Sequence, residues 1–497
     1  MKRPARAVAL SIAILSCTLL SPPVARADLA SDISVVLHDK LLSRAEESVD
    51  IIRLGATAAD GHVIYKHNSD IPLIPASNLK VITTSAALDR LGPDFKFRTQ
   101  LVWHDNDLIL IGDGDPTFGD AELLTRVGWD VNTVFKNWAE ALKNLKLPAV
   151  RNIIVDDSIF EEAGVHPHWP IDQVQKRYMA QVSGVNLNAN CLDVFVRTTA
   201  PGETVNYILN PDTRYVNLQN TCVTGNENAV WLSRLAETNN IIMRGQARNS
   251  TDVPVSVTIH DPAMYAATVL AETFEAGGVN HSGDVHRDRT IRDQLKKAQA
   301  CNDKSWVVLA IHETPIERVM ARANKDSMNL YAECLGKRLG AETSGQSGSW
   351  QNGPASVGEF LKKVGVPEAE FKLDDGCGLS KQNAISANCM VTTLTYDYFN
   401  ANSKMFFSTL SIAGVDGTLD DRFRGTDLRG RVFGKSGFVN GVSALSGYLH
   451  AKDGQWYAFS ILMNGIPAQS NSAIKFLQEK IIRAVDASSA TIASLER

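Results

Sequence analysis

Beyond its N-terminal segment, the sequence contains no uninterrupted apolar run approaching the roughly 20 residues of a membrane-spanning helix, so no second helical span is expected. It has no excess of positive charge: 50 Lys and Arg stand against 55 Asp and Glu, so nothing in its charge suggests a nucleic-acid partner. No two of its seven cysteines have CxxC spacing, and there is no internal repeat or low-complexity linker. His166 and His168 flank a proline in HPHWP without a third or fourth ligand at metal-site spacing, and read as loop residues. Asp113, Asp115 and Asp120 in GDGDPTFGD lack the alternating ligands and closing Glu of an EF-hand, and read as a turn.

The N-terminus carries Lys2, Arg3 and Arg6, then the apolar run AVALSIAILSCTLL, then a small-x-small site ending at Ala27. This is the form of a secretory signal, with cleavage expected after Ala27. Cys17 is a poor lipoprotein site, because Ile14-Leu15-Ser16 precede it and more apolar sequence follows. Removing residues 1–27 removes four basic residues and no acid, leaving 46 basic against 55 acidic side chains, a net of −9. The mature protein is expected to be exported, periplasmic or otherwise outside the cytoplasmic membrane, with at most peripheral membrane association. Its six cysteines, Cys191, Cys222, Cys301, Cys334, Cys377 and Cys389, permit disulfides such as Cys191–Cys222 or Cys377–Cys389, or buried free thiols.

About 470 mature residues exceed what one core usually supports. DISVVLHDKLLSRAE reads as a helix, and the following residues alternate as two strands around Asp60-Gly61. Residues 96–173 alternate strand and helix signals, including the helix VFKNWAEALKNL and the strand RNIIVDD. Residues 174–259 are short alternating segments rich in Asn, Thr, Val and Gly with little helical pattern. Residues 260–303 return to helix. The organisation expected is an α/β (α+β) domain formed by 28–95 and 304–497, interrupted by an α/β unit of 96–173 and 260–303, itself interrupted by a β-rich unit of 174–259.

The chemistry centres on Pro75-Ala76-Ser77-Asn78-Leu79-Lys80, where Ser77 opens a helix that ends at Gly92-Pro93. Serine and lysine three apart in a first turn share one face, which sets a hydroxyl beside an amine able to take its proton. SxxK recurs at Ser472–Lys475, inside an apolar-periodic C-terminal segment that reads as a packed helix. Two further elements select the first match. Ser327-Met328-Asn329 lies on a turn between helical stretches, and offers a hydroxyl to relay a proton and a carboxamide to bind a substrate amide. Its rival, Ser386-Ala387-Asn388, lacks the helical flanks. Lys435-Ser436-Gly437 is the only K-[ST]-G. It sits on a strand, with a cation and hydroxyl for a carboxylate and a glycine that permits close backbone approach.

SxxK, SxN and K-[ST]-G in this order form the signature of penicillin-binding proteins and β-lactamases. With PASNLK, DSMNLYAE, DGCGLS, AGVDGTLDDRFRG and GKSGFVNGVSALSGY, the chain resembles the class C penicillin-binding proteins, the D-alanyl-D-alanine carboxypeptidase/endopeptidases similar to penicillin-binding protein 4. The resemblance implies a penicillin-recognising transpeptidase domain with nested insertions in the interval of about 250 residues between Ser77 and Ser327. It implies Ser77 as acylated nucleophile, Lys80 as base, and Ser327 and Asn329 as second motif. Lys435 and Ser436 would bind the substrate carboxylate, with Gly437 beside them and the N–H groups of Ser77 and Phe438 as oxyanion hole. Asp156 and Phe160, in VDDSIF, resemble positions contacting the diamino acid of the stem peptide, with Asp157 as the alternative. Peptidoglycan peptides are the implied substrate, β-lactams the covalent inhibitors, and no metal or organic cofactor is required. Met328, Ser436 and Cys377 depart from the common Asp or Asn, Thr and Ser of the family. The alternatives are a serine β-lactamase or esterase using the same motifs, and an inactive wall-binding protein, which the Cys377 departure motivates.

Overall fold

The protein is described by a computed structural model over residues 29–145, 149–467 and 469–495. The expected signal segment and Cys17 lie outside the described residues.

A six-stranded antiparallel sheet runs in the order Ser411–Ile412, Val432–Val439, Val442–His450, Trp456–Asn464, Glu46–Arg53, His62–His67. The two strands expected around Asp60-Gly61 are its first pair in sequence. Between them a short turn, Ala58–Asp60, is closed by Thr57 N–H and hydroxyl bonds to Asp60 at 3.1 and 2.7 Å. The central strands are apolar on both faces, as a sheet covered on both sides requires. Leu445, Leu449, Phe459 and Ile461 pack under the C-terminal helix Asn471–Leu495, against Ile474, Leu477 and Ile481. Ala444, Tyr448, Ala458 and Leu462 face the other way, into a larger core shared with the helices Leu79–Leu91, Asn329–Ser344 and Ala387–Phe399. The helix expected across DISVVLHDKLLSRAE is broken in two. Leu29–Leu37 ends before Asp39, whose carboxylate accepts from Leu41 N (3.0 Å) and starts a separate turn at Lys40–Leu42.

A five-stranded sheet is ordered Val285–Arg287, Ile153–Asp156, Asp107–Gly112, Lys96–His104, Val307–Pro315. Helices Thr133–Asn144 and Pro262–Ala276 bury one face and Ile291–Ala300 the other. Its last strand corrects the expected boundary at 304. Val307–Pro315 pairs along its whole length with Lys96–His104, so the chain leaves this sheet at Pro315, where the helix Ile316–Lys325 begins. Alternation marks this segment as a strand; only pairing assigns it to a sheet. Residues 191–258 form two small sheets, one of Val255–Thr258, Cys191–Arg197 and Asn206–Asn210, the other of Ala229–Arg234, Asn240–Ala247, Asn217–Asn220 and Val223–Thr224. Between the two units, residues 157–190 run back across the large core. They place Phe160, Trp169, Met179, Ala180 and Val182 there.

All six cysteines of the described residues are free thiols, and all except Cys301 are buried.

Candidate active site

Ser77 sits in a single 3₁₀ turn, Ala76–Asn78, that runs straight into the helix Leu79–Leu91. This turn is held under strain: Ala76 has φ of +46°, and Ser327 across the cleft has φ of +57°. Left-handed backbone at a non-glycine residue costs on the order of 1–3 kcal/mol and persists only where surroundings impose it. Here they do. Gly378, itself at φ of +82°, lies so close to the turn that a Cβ on it would stand 1.9 Å from the Ala76 carbonyl oxygen. On the other side the strand Val432–Val439 runs against the same turn. A Cβ on Gly437 would stand 2.8 Å from Pro75 O and 3.1 Å from Ser77 N. The glycine of Lys435-Ser436-Gly437 is therefore required by the serine turn itself. Asn78 ties turn to strand: its amide nitrogen donates to Lys435 O (2.6 Å), and its oxygen accepts from the Ser446 hydroxyl (2.9 Å).

Lys80 is wholly buried, and its Nζ has three neighbours: Ser77 Oγ at 2.9 Å, Asn329 Oδ1 at 2.7 Å and Cys377 O at 2.8 Å. The last two only accept hydrogen bonds. They take two Nζ hydrogens, and the remaining tetrahedral position points at Ser77, as a lone pair when the amine is neutral. Burial favours the neutral form and pulls Lys80 below the ordinary lysine range. Lys435 is also buried and lies on the same side of its strand as Gly437, with Nζ bonded to Ser436 O at 2.8 Å. Burial, and after it the charge of Lys80, carry Lys435 well below the usual range.

Ser77, Ser327, Asn329 and Phe438 line one cleft of about 660 Å³ together with Tyr178, Trp169, Gln173, Leu379, Lys381 and Asn440. Two other clefts, of 680 and 690 Å³, match it in size but hold no Ser–Lys pair. The neighbouring strand Ser411–Ile412 pairs only with Gly434 and Phe433, so among the described residues the edge from Lys435 to Val439 is open. An extended peptide can add there through its main chain.

The sequence-predicted residues divide cleanly. Ser77, Lys80, Ser327, Asn329, Lys435, Ser436, Gly437 and Phe438 converge from three separate segments. Asp156 and Phe160 do not join them, which corrects their expected place in substrate binding. Asp156 is buried at the end of its strand, where its oxygens accept from Ser158 N (2.7 Å) and Arg292 N (2.6 Å), the latter in the first turn of the helix Ile291–Ala300. Phe160 is fully buried, its ring filling the space beside Gly114 and Gly348. Asp157 is no substitute: it is buried and ion-paired with Arg287 and Arg289. The rival motifs are structural. Ser386 caps the helix Ala387–Phe399, accepting from Cys389 N at 2.8 Å, and Ser472 lies in the C-terminal helix, on the far side of the large sheet.

Tyr178 was not singled out by sequence, yet its carbonyl accepts from Asn329 Nδ2 at 2.9 Å. No motif surrounds it, and only the return of residues 157–190 brings it in. Cys377 contributes its main-chain carbonyl, while its thiol faces Asp375 at 3.8 Å. His166 and His168 also acquire a neighbour that spacing hid. Asp374 bonds His168 Nδ1 at 2.9 Å and lies 3.7 Å from His166 Nε2, which makes the three a group of metal-ligand type. Yet His166 Nδ1 already accepts the His168 N–H at 3.2 Å. A metal on Nε2 would leave that ring without either proton, so the trio fits a tie between two loops better than an ion site. Asp115 and Asp120 are likewise committed within the protein, Asp115 to Thr117 and Thr314 and Asp120 to Arg322, Tyr331 and the helix Ala121–Thr125.

A serine hydrogen-bonded to a buried lysine beside an open strand edge, on a helix-flanked antiparallel sheet, is the arrangement of a serine peptidase of the penicillin-recognising type. The chain belongs to the D-Ala-D-Ala carboxypeptidase 3 (S13) family, whose model matches residues 29–486. It is 32% identical to the D-alanyl-D-alanine carboxypeptidase of Actinomadura sp. (strain R39), over 93% of this chain and 87% of that one. It is 23% identical to D-alanyl-D-alanine carboxypeptidase DacB of Haemophilus influenzae, over 86% and 87%. The crystal structure of penicillin binding protein 4 (dacB) from Haemophilus influenzae shares the fold, with a TM-score of 0.72 at 21% identity, covering 90% of this chain and 98% of that chain. The enzyme is a serine-type D-Ala-D-Ala carboxypeptidase.

Proposed function

We propose that the protein cleaves the bond between two D-alanines in peptidoglycan stem peptides and cross-links through an acyl-enzyme on Ser77. Ser77 Oγ attacks the carbonyl carbon while Lys80 Nζ takes the hydroxyl proton. The oxyanion of the tetrahedral intermediate is met by the N–H groups of Ser77 and Phe438, on the two segments that Gly437 allows to touch. Collapse expels the amine of the terminal residue, protonated through Ser327, and water then hydrolyses the ester. The substrate's terminal carboxylate lies on Lys435 and Ser436, and its main chain on the open edge beyond them. A carboxypeptidase releases one D-alanine; the same step on a cross-link is an endopeptidase cut. β-Lactams present a strained amide to the same serine and inhibit. The substrate places the mature enzyme outside the cytoplasmic membrane, consistent with the expected signal segment. Among the described residues, no helix is long and apolar enough to cross a membrane.

The observation that carries this reading is Lys80: buried, with both of its other neighbours carbonyl oxygens and the last position 2.9 Å from Ser77 Oγ. The test is intact-mass measurement and peptide mapping after labelled penicillin, on the mature protein and on Ser77→Ala. A stable adduct on the Ser77 peptide, absent from the variant, is expected, followed by D-alanine release from a stem peptide. Penicillin consumed without an adduct would instead mark a β-lactamase, and penicillin left intact without an adduct an inactive binding protein.

A further inference from the structure

On the helix Asn329–Ser344, Asn329, Glu333 and Lys337 are spaced four apart and share one face. Asn329 meets Lys80 directly. Glu333 is 2% exposed and is bonded elsewhere. Its Oε1 accepts from the main-chain N–H groups of Gly376 (3.0 Å) and Cys377 (2.7 Å), and its Oε2 from Gly376 at 3.1 Å. The carbonyl of Cys377, on the same residue, is the one that receives Lys80 Nζ. From the serine helix, the Thr83 hydroxyl donates to Gly376 O at 2.6 Å. Lys337 is not the partner of Glu333: its amine is bonded to Glu161 (2.9 Å) and Ala163 O (3.1 Å). A buried acid is thus spent on two backbone N–H groups of a turn, although its burial is costly. That turn is the segment under Lys80.

The geometry points to Glu333 as a positioning residue for Lys80: it fixes the Gly376–Cys377 peptide so that the Cys377 carbonyl holds one Nζ hydrogen and the remaining position faces Ser77. One helix face thereby orients the lysine from two directions, directly through Asn329 and through the backbone by way of Glu333. Without the second anchor, Nζ is free to turn about Cε, and a hydrogen competes for the position aimed at the serine oxygen. The inference rests on the reading of Ser77 as nucleophile and Lys80 as base.

The test uses the full mature chain and a chromogenic cephalosporin, with stopped-flow data split into a binding constant and an acylation rate constant. Wild type and Ser77→Ala come first; an adduct on Ser77 establishes the underlying reading whatever Glu333 does. Glu333→Ala removes the acceptors. Glu333→Asp keeps the carboxylate but withdraws it by one methylene, and serves as the deciding variant if the alanine protein does not fold. Both are expected to slow acylation about 10²-fold, the scale of a small displacement of a reacting group, with binding changed by no more than about threefold. Glu333→Gln, whose carboxamide oxygen can still accept from the turn, recovers most of the lost rate. Acylation within about threefold of wild type in the aspartate or alanine variant would overturn the proposal. So would a fall in binding and acylation together with glutamine no better than alanine, because that pattern belongs to a residue that only supports the fold.

Discussion

Replacing Asn329 by Asp tests the mechanism at a contact made directly on Lys80 Nζ. Asn329 Oδ1 lies 2.7 Å from Lys80 Nζ, and in the native protein it accepts a hydrogen bond without carrying charge. A carboxylate there keeps the acceptor and the size but sets a full negative charge against a buried amine. An opposite charge within about 4–6 Å shifts a titration by roughly 1–3 units towards the charged form. Lys80, pulled down by burial in the native enzyme, is then pushed back up. The base is the neutral amine, so below its pKa the active fraction falls tenfold per unit. At a fixed pH on the acidic limb, Asn329→Asp should therefore acylate about 10–10³-fold more slowly, and the limb itself should move to higher pH by the same number of units. Asn329→Ala separates charge from contact. It removes a hydrogen bond to an amine worth about 1.5–3 kcal/mol when that amine is charged, and the one to Tyr178 O, without adding charge. Its limb should not move upward. The assay is the pH dependence of cephalosporin acylation, with intact mass confirming the adduct on Ser77. An unchanged limb in Asn329→Asp, or one displaced to lower pH, would refute Lys80 as a base acting in its neutral form.

Four other outcomes follow from the same geometry. Lys435 lies well below the ordinary lysine range because it is buried, and because of Lys80 after that. Binding of a carboxylate-ended peptide to Ser77→Ala should therefore take up protons above that lowered pKa, and weaken as pH rises. Calorimetry in buffers of different ionisation enthalpy measures this, and no uptake at any pH would count against Lys435 as the carboxylate site. Gly437→Ala places a Cβ 2.8 Å from Pro75 O and should cut acylation sharply by parting strand from serine turn, while circular dichroism stays native. Burial, with Asp375 second, raises Glu333 from 4.5 to about 8. The folded protein therefore holds a proton that the unfolded chain releases, and stability from this group is full below pH about 4.5 and lost as pH rises through about 8. The melting temperature of Glu333→Gln relative to wild type should rise across that window; a flat difference would show that Glu333 is not raised. Of the six thiols, only Cys301 is exposed, so a thiol reagent should modify one group in the native mature protein and six after denaturation.

The motif residues were legible because each is a local pattern with a chemical reason. SxxK needs only a helical turn, and K-[ST]-G only a strand. The nested order of strand-rich and helix-rich stretches also shows in periodicity, since alternation and 3.6-residue spacing are properties of a single segment. Asp156 and Phe160 show the limit. A carboxylate and an aromatic at a strand end are as suitable for a core as for a cleft, and the protein uses the first as a helix cap and the second as filling. Val307–Pro315 shows it again, because a strand's pattern says that it pairs but not with which neighbour.

The sequence by itself therefore determined the Ser77–Lys80 pairing, the order of the three motifs and the family. Their chemistry resides in residue type at fixed spacing. Tertiary structure alone decided what surrounds them. The Cys377 carbonyl reaches Lys80 from 297 residues away, Tyr178 from 151 residues away meets Asn329, and Gly437 proves necessary for a turn on another segment. Main-chain carbonyls and N–H groups have no sequence signature, since every residue carries them. Their placement follows from packing, and here packing sets the direction in which one buried lysine can take a proton.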